Sequence, residues 1–245
     1  MTTTPDLWHH YGRARAERDR AVPGTFRWTW GQDDSPGAEV LGELRGRVVG
    51  DLGAGAARQA AHLAVHHEPA RVVAVDASPA QYGLATGLFS DLAPRLRIVR
   101  SDAVRHLEAA RNTYDVLYSV FGAVDFTDPR TLLPAAAAAL RPGGRLAFAT
   151  LAHYLNSAPA QPEAVAADIP ARTPEGEETT MRRWVLQEQV WVKALDAAGF
   201  TGITVDTFPA TSDGPGSAAT LLVTAERPCC SGGPSPYRAS QVSES

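Results

Sequence analysis

The chain has 245 residues, 44% of them hydrophobic and 20% charged, enough to bury the core of one sizeable α/β domain without disulfide or metal staples. A formal charge of −4 and a pI near 6.0 give no general attraction to phosphate backbones. No segment concentrates Lys and Arg among aromatics, and no apolar run approaches the roughly 20 residues of a membrane span, so neither nucleic acid nor a membrane is the expected partner.

The first residues are polar and charged where an export signal needs an apolar stretch, so a cytoplasmic protein is expected. Arg13, Arg15, Arg18 and Arg20 alternate with Glu17 and Asp19, as on a solvated helix face. Trp8-His9-His10-Tyr11 and Phe26-Arg27-Trp28-Thr29-Trp30 are aromatic enough to form an N-terminal lid over residues 1–44, or simply to pack the leading segment onto a sheet. His9 and His10 are adjacent and no Asp/Cys/His cluster completes a coordination set, so no metal is expected.

Residues 47–52 and 70–76 are continuous apolar runs of the kind that form strands buried on both faces, and residues 56–65 between them read as a helix. Helix is then expected over 79–89, strand over 96–100, weak helix over 104–110, strand over 114–120 and a strong alanine-rich helix over 132–140. Arg141-Pro142-Gly143-Gly144 stops that helix before a strand at 145–150. Residues 158–180 lack periodicity and read as an insertion or cover within 151–184. An amphipathic helix follows over 185–198, then strands at 203–208 and 220–225, whose Ser/Gly/Pro connection favours an antiparallel hairpin. The tail from Pro228, with the adjacent Cys229 and Cys230, has the composition of a disordered segment, leaving 1–227 as one domain. Strands alternating with helices predict a Rossmann-like, mostly parallel seven-stranded sheet with a C-terminal antiparallel hairpin and helices on both faces.

Asp51-Leu52-Gly53-Ala54-Gly55-Ala56-Ala57 lies where the first buried strand turns into a helix, so backbone can approach a ligand whose polar end meets the helix N-terminus. A dinucleotide loop would place its third glycine at Arg58, and an arginine there argues against a tight pyrophosphate turn. The spacing fits S-adenosylmethionine (SAM) better than NAD. Asp76 ends the next strand, either as acceptor for two ribose hydroxyls or as a solvated strand end.

The D-x-G-x-G turn, the acidic strand end, Ser101-Asp102-Ala103, Tyr114-Asp115-Val116-Leu117 and Leu140-Arg141-Pro142-Gly143-Gly144, in that order, resemble the class I SAM-dependent methyltransferases, bacterial small-molecule type. The resemblance runs from about residue 41 to 225. It implies that Asp51, Gly53, Ala54 and Gly55 surround the methionine portion of SAM, that Asp76 binds the ribose, and that Asp102 with the Ala103 backbone recognises adenine. Tyr11 would touch the SAM carboxylate. Ala77, Ser78 and Gln81 either line the adenosine pocket or cap the helix that follows, and Ser119 adds to the cofactor side. Ala57 departs from the pattern, since many relatives carry a third glycine there. Asp115 is read as a backbone anchor rather than a catalytic group.

Ligands of open α/β sheets lie beyond the carboxyl ends of the strands, which points to Tyr118-Ser119-Val120-Phe121-Gly122 and His153-Tyr154 for the acceptor. An Asn/Asp-Pro-Pro-aromatic element of nucleobase-amine methylating relatives is missing at this point. Methyl transfer needs alignment and, for some acceptors, a base; His153 is the preferred base, with Tyr118 and Tyr154 orienting the acceptor. All five tryptophans lie outside residues 48–150, which suggests a small acceptor with an apolar or aromatic part. The expected reaction is O-, N- or C-methylation in specialised metabolism; the alternative is a non-methylating rearrangement or cyclisation on the same fold.

Overall fold

A computed structural model of the protein describes residues 5–32, 35–212 and 216–229. Its strands are β1 (Val48–Leu52), β2 (Arg71–Asp76), β3 (Leu96–Arg100), β4 (Tyr114–Val120), β5 (Leu140–Leu151), β6 (Ala167–Arg172), β7 (Glu178–Arg183), β8 (Thr201–Phe208) and β9 (Thr220–Glu226). Its helices are α1 (Arg13–Arg18), α2 (Arg58–His66), α3 (Pro79–Phe89), α4 (Ala103–Glu108), α5 (Ala123–Phe126), α6 (Pro129–Ala139) and α7 (Glu188–Ala197). Among the described residues the main sheet has seven strands in the order β3-β2-β1-β4-β5-β9-β8. The first five run parallel, and β9 lies antiparallel to both β5 and β8, as the hairpin composition predicted.

Alternation along the central strands sends successive side chains to opposite faces, and each face has its own core. Leu117, Leu146, Phe148 and Val223 pack with Leu107 of α4, Leu132 and Leu133 of α6, and Trp191 and Leu195 of α7. Val49, Tyr118, Ala147 and Ala149 pack with Leu63 of α2, Ala85 and Phe89 of α3, and the leading residues Phe26, Trp28, Leu41 and Leu44. The leading segment is thus divided: Phe26 and Trp28 are core, while Trp8 and Trp30 stay half-buried at the rim.

Two elements differ from the sequence reading. Residues Arg141–Gly144 form the irregular first part of β5 rather than a turn before it. Pro142 has no amide to donate, and the ladder is bulged where Tyr114 and Val116 face β5; Gly143 N donates to Arg227 O and Gly144 O accepts from Arg227 N. The cover segment also contains an antiparallel pair, β6 with β7, joined at Thr173-Pro174-Glu175-Gly176-Glu177. Pro170 and the absence of an apolar stripe in Glu178–Met181 conceal these strands, whereas Pro followed by a glycine at φ 89° is a turn signal. No helix among the described residues is long and apolar enough to cross a membrane. The tail expected from Pro228 falls outside the described residues beyond Cys229.

Candidate cofactor and acceptor site

The glycine turn leaves β1 at the middle of the sheet and is held by backbone alone. Gly53 N and Ala54 N both donate to Val75 O, at 2.9 and 3.0 Å. Gly53 has φ 76°, and a side chain there would collide with the backbone of Gly122 and Ala123. Its glycine is therefore required by close approach of the segment after β4. At Gly55, φ 54°, an added carbon would meet only the Gln81 side chain, in ordinary contact at 3.5 Å. Ala57 caps α2 at φ 57° with its methyl group fully buried. The left-handed conformation explains why a glycine is common there, and alanine tolerates it at a cost of roughly 1 kcal/mol.

Asp76 stands at the carboxyl end of β2 across from this turn. Its Oδ2 accepts from Gly55 N at 2.8 Å and its Oδ1 from Ser78 N at 2.9 Å. Burial raises its pKa, and those two amides oppose the rise. The carboxylate is thereby fixed in orientation with lone pairs left to accept further donors. Asp51 is 3% exposed and accepts from Tyr118 Oη at 2.8 Å through Oδ2. Burial pushes its pKa up to about 7, against the Tyr118 hydrogen bond and with the added repulsion of Asp76. Asp102 caps α4 by accepting from Arg105 N at 3.0 Å; it is exposed while Ala103 beside it is buried.

Ser78 caps α3 and Pro79 opens it, so the cap reading of this pair holds. Both Ser78 and Gln81 have a further use: they hold the N-terminal segment. Asp6 Oδ2 accepts from Ser78 Oγ at 2.8 Å and from Ala80 N at 3.0 Å. Gln81 Nε2 donates to Trp8 O and Tyr11 O at 2.9 and 2.8 Å. Residues 6–11 consequently cross in front of α3, next to Asp76. The Tyr11 ring itself is 58% exposed, and Ala77 is exposed. On the far side, His10 Nε2 lies 3.2 and 3.0 Å from Thr173 O and Pro174 O at the tip of the β6–β7 hairpin. Two covers thus meet above the ends of the central strands.

The residues expected to act on the acceptor are placed unequally. Tyr118 is 0% exposed, packed against Phe26 and Trp28, with its hydroxyl given to Asp51. Ser119 is likewise interior; its Oγ donates to Leu52 O at 2.7 Å and accepts from Val124 N. His153 has one ring nitrogen 3.0 Å from Tyr154 O and accepts from Ala219 N at 3.3 Å with the other. Both nitrogens serve the backbone, which joins the end of β5 to the loop before β9. Tyr154 differs from these in having an unused hydroxyl, buried and without a hydrogen-bond partner.

Sequence reasoning missed the polar centre of this end of the sheet. Asp125 on α5 and Arg183 at the end of β7 are 0% and 4% exposed and form a buried ion pair at 2.6 Å. The Arg183 guanidinium lies 5.6 Å from the Trp30 ring centre and 5.2 Å from that of Phe126. Trp8 packs edge-on to Phe126 at 4.6 Å, and Trp30 to Phe121 at 5.2 Å. Phe121, at the end of β4, has φ 49°, strain that a bulky residue adopts only when its surroundings impose it. A signal was present in the charged residue directly following the Phe-Gly-Ala-Val segment, but its partner lies 58 positions away.

Asp115, as read, is an anchor: it accepts from Val48 N and pairs with Arg141, each at 2.8 Å. Burial raises its pKa, but the Val48 amide, Arg141 and Arg47 together hold the carboxyl below its ordinary range. Among the described residues no group of three or more His, Cys, Asp or Glu could hold a metal ion.

Residues 49–144 match the family model described as a methyltransferase domain. No curated protein matches the chain in sequence. Among solved structures, the chain is similar to the 1,6-didemethyltoxoflavin-N1-methyltransferase of Burkholderia thailandensis, solved with 1,6-didemethyltoxoflavin and S-adenosylhomocysteine, at 23% identity and TM-score 0.54, over 78% of this chain and 74% of that one. An S-adenosylmethionine-dependent methyltransferase of Mesorhizobium loti aligns at 21% identity and TM-score 0.53, over 77% and 94%. Phosphoethanolamine N-methyltransferase 2 of Haemonchus contortus, in complex with S-adenosyl-L-methionine, aligns at 14% identity and TM-score 0.58, over 78% of this chain and 51% of that one. The domain match spans the glycine turn, Asp76, Asp102 and β4, and the likeness to these SAM-dependent methyltransferases is one of fold.

Proposed function

We propose that this protein methylates a small-molecule acceptor with an apolar or aromatic part, on oxygen, nitrogen or carbon, as a cytoplasmic enzyme of specialised metabolism. The observation that carries the reading is Asp76: a carboxylate at the carboxyl end of β2, oriented by Gly55 N and Ser78 N, directly across from the glycine turn. Such a group suits a pair of vicinal hydroxyls of a nucleoside-bearing cofactor. When bound, SAM supplies a methyl group on a sulfonium, which departs in line to a nucleophile.

The chain's own residues then divide the work. Asp76 holds the ribose, Asp102 and the Ala103 backbone hold adenine, and Asp51, Gly53, Ala54 and Gly55 enclose the methionine end. Tyr118 and Ser119 act through Asp51 and the turn, and His153 fixes the loop before β9, so these are positioning residues. Tyr154, with its unused buried hydroxyl, is the candidate to touch the acceptor. Rings of Trp8, Trp30, Phe121 and Phe126 supply the apolar wall that excludes water.

The test is turnover. The purified chain is incubated with SAM carrying a labelled methyl group and a panel of phenols, amines and planar heterocycles. Methylated product appearing in equal amount with S-adenosylhomocysteine supports the proposal. SAM that binds but leaves intact while an acceptor is rearranged would replace it with the non-methylating reading.

A further inference from the structure

Asp125 and Arg183 form a polar centre that is conspicuously incomplete. Both Arg183 contacts, from Nε at 3.1 Å and Nη2 at 2.6 Å, go to the same carboxylate oxygen, Oδ2. Asp125 Oδ1 is buried and has no hydrogen-bond partner. Thr150 lies beside it near the carboxyl end of β5, and its hydroxyl makes a loose hydrogen bond that lowers the carboxyl's pKa, although the contact falls short of good hydrogen-bond geometry for either atom. Native interiors rarely leave a carboxylate oxygen and a hydroxyl so poorly matched side by side. Thr150, next to the last residue of β5, and Asp125, on the short helix after β4, lie at the carboxyl end of the sheet where ligands of such folds bind, and the Trp30 and Phe126 rings there already face one flat group, the Arg183 guanidinium.

These observations ask for a ligand of definite chemistry. Oδ1 requires a donor; the Arg183 guanidinium, which uses only one edge on Asp125, can donate to an acceptor; and the Trp30 and Phe126 rings favour a flat partner. We propose that Asp125, Arg183 and Thr150 are the specificity-determining residues for an acceptor that presents an N–H next to a C=O on a planar ring, the amide-like edge of a heterocycle. The N–H donates to Asp125 Oδ1, the carbonyl accepts from Arg183, and the Thr150 hydroxyl joins whichever group lies nearer. Arg183 ends β7, whose strand partner β6 is half-exposed and pairs only with β7 in its sheet, so the hairpin can admit the ring by lifting about this end.

This inference rests on the methyltransferase reading for the location of the acceptor, and the experiment separates the two. The full chain is first titrated with S-adenosylhomocysteine by calorimetry. Absence of that binding removes the methyltransferase reading itself. The saturated protein is then titrated with pteridine-2,4-dione, which has the required edge, and with its 1,3-dimethyl derivative, which lacks the N–H. The proposal expects the parent compound to bind about tenfold more tightly than the dimethyl compound, the worth of one hydrogen bond to a charged group. Thr150→Val decides between site and scaffold. A purely structural Thr150 with so loosely bonded a hydroxyl leaves both the melting temperature and binding unchanged or improved on becoming valine. A recognition role predicts an unchanged melting temperature with about tenfold weaker binding of the dione. Asp125→Asn should abolish the preference for the parent compound. Failure of the dione to bind, equal binding of the two compounds, or full affinity in Thr150→Val would overturn the proposal.

Discussion

Replacing Asp51 by asparagine should make the cofactor-free protein more stable and its stability less dependent on pH. Asp51 is 3% exposed, and its pKa is raised from 3.8 to about 7, mainly by burial, with Tyr118 opposing and Asp76 adding to the rise. Between pH 4 and 7 the folded protein keeps a proton on Asp51 that the unfolded chain has released. Folding then takes up a proton, so stability falls as pH rises through this window and the loss is complete above the folded pKa. At about 1.4 kcal/mol per pH unit, the ionised carboxylate costs the folded state on the order of 4 kcal/mol at pH 8. Asparagine has the same shape, can still accept from Tyr118, and carries no such cost. Urea titrations at pH 4.5, 6 and 8 should show the variant and the natural protein nearly equal at the lowest pH. The variant should be more stable at the highest, with a melting temperature higher by roughly 10 °C. Its affinity for S-adenosylhomocysteine should fall, because the proposed site sets that charge at the methionine end. Parallel pH profiles for the two proteins would refute the reasoning.

Other perturbations follow from the same geometry. Tyr118→Phe removes the hydroxyl that donates to Asp51 Oδ2, and should cost about 1–3 kcal/mol at pH 8 but little near pH 4, as read by the same titrations. Gly53→Ala should prevent stable folding, because the added carbon meets backbone at φ 76°. Gly55→Ala should fold, lose only about 1 kcal/mol, and bind S-adenosylhomocysteine more weakly; circular dichroism and calorimetry separate the two. His153→Ala should lower stability by about 1 kcal/mol through its two backbone contacts, with S-adenosylhomocysteine affinity unchanged; a large loss of affinity would return His153 to the site.

The parts of the fold that were legible in the sequence are those where local pattern and burial agree. Continuous apolar runs at 47–52 and 70–76 satisfy their backbone as the interior strands β1 and β2, and the alanine-rich segment before Arg141 is helical by propensity. The β6–β7 pair was hidden because it buries little, so no apolar stripe was imposed on it. The shape of the glycine turn was legible for a similar reason: Gly53 and Asp76 are held by contacts of their own turn and strand end, within one βαβ unit. Acceptor-side roles were not. Whether His153 is a base or a clasp depends on Ala219, and whether Asp125 is paired depends on Arg183, contacts made across 66 and 58 positions that no local pattern encodes. Tyr118 shows the same limit, since a residue at the end of a strand was expected to face the ligand, but the side chain alternates into the core instead.

The central claim is that the glycine turn and Asp76 bind SAM, and calorimetric titration tests it most directly. The natural protein and Asp76→Ala are titrated with SAM, S-adenosylhomocysteine and NAD. The account predicts binding of both SAM compounds, none of NAD, and at least tenfold weaker binding in the variant, which loses charge-assisted hydrogen bonds. Absence of binding by both SAM compounds, or equal affinity in Asp76→Ala, would contradict it.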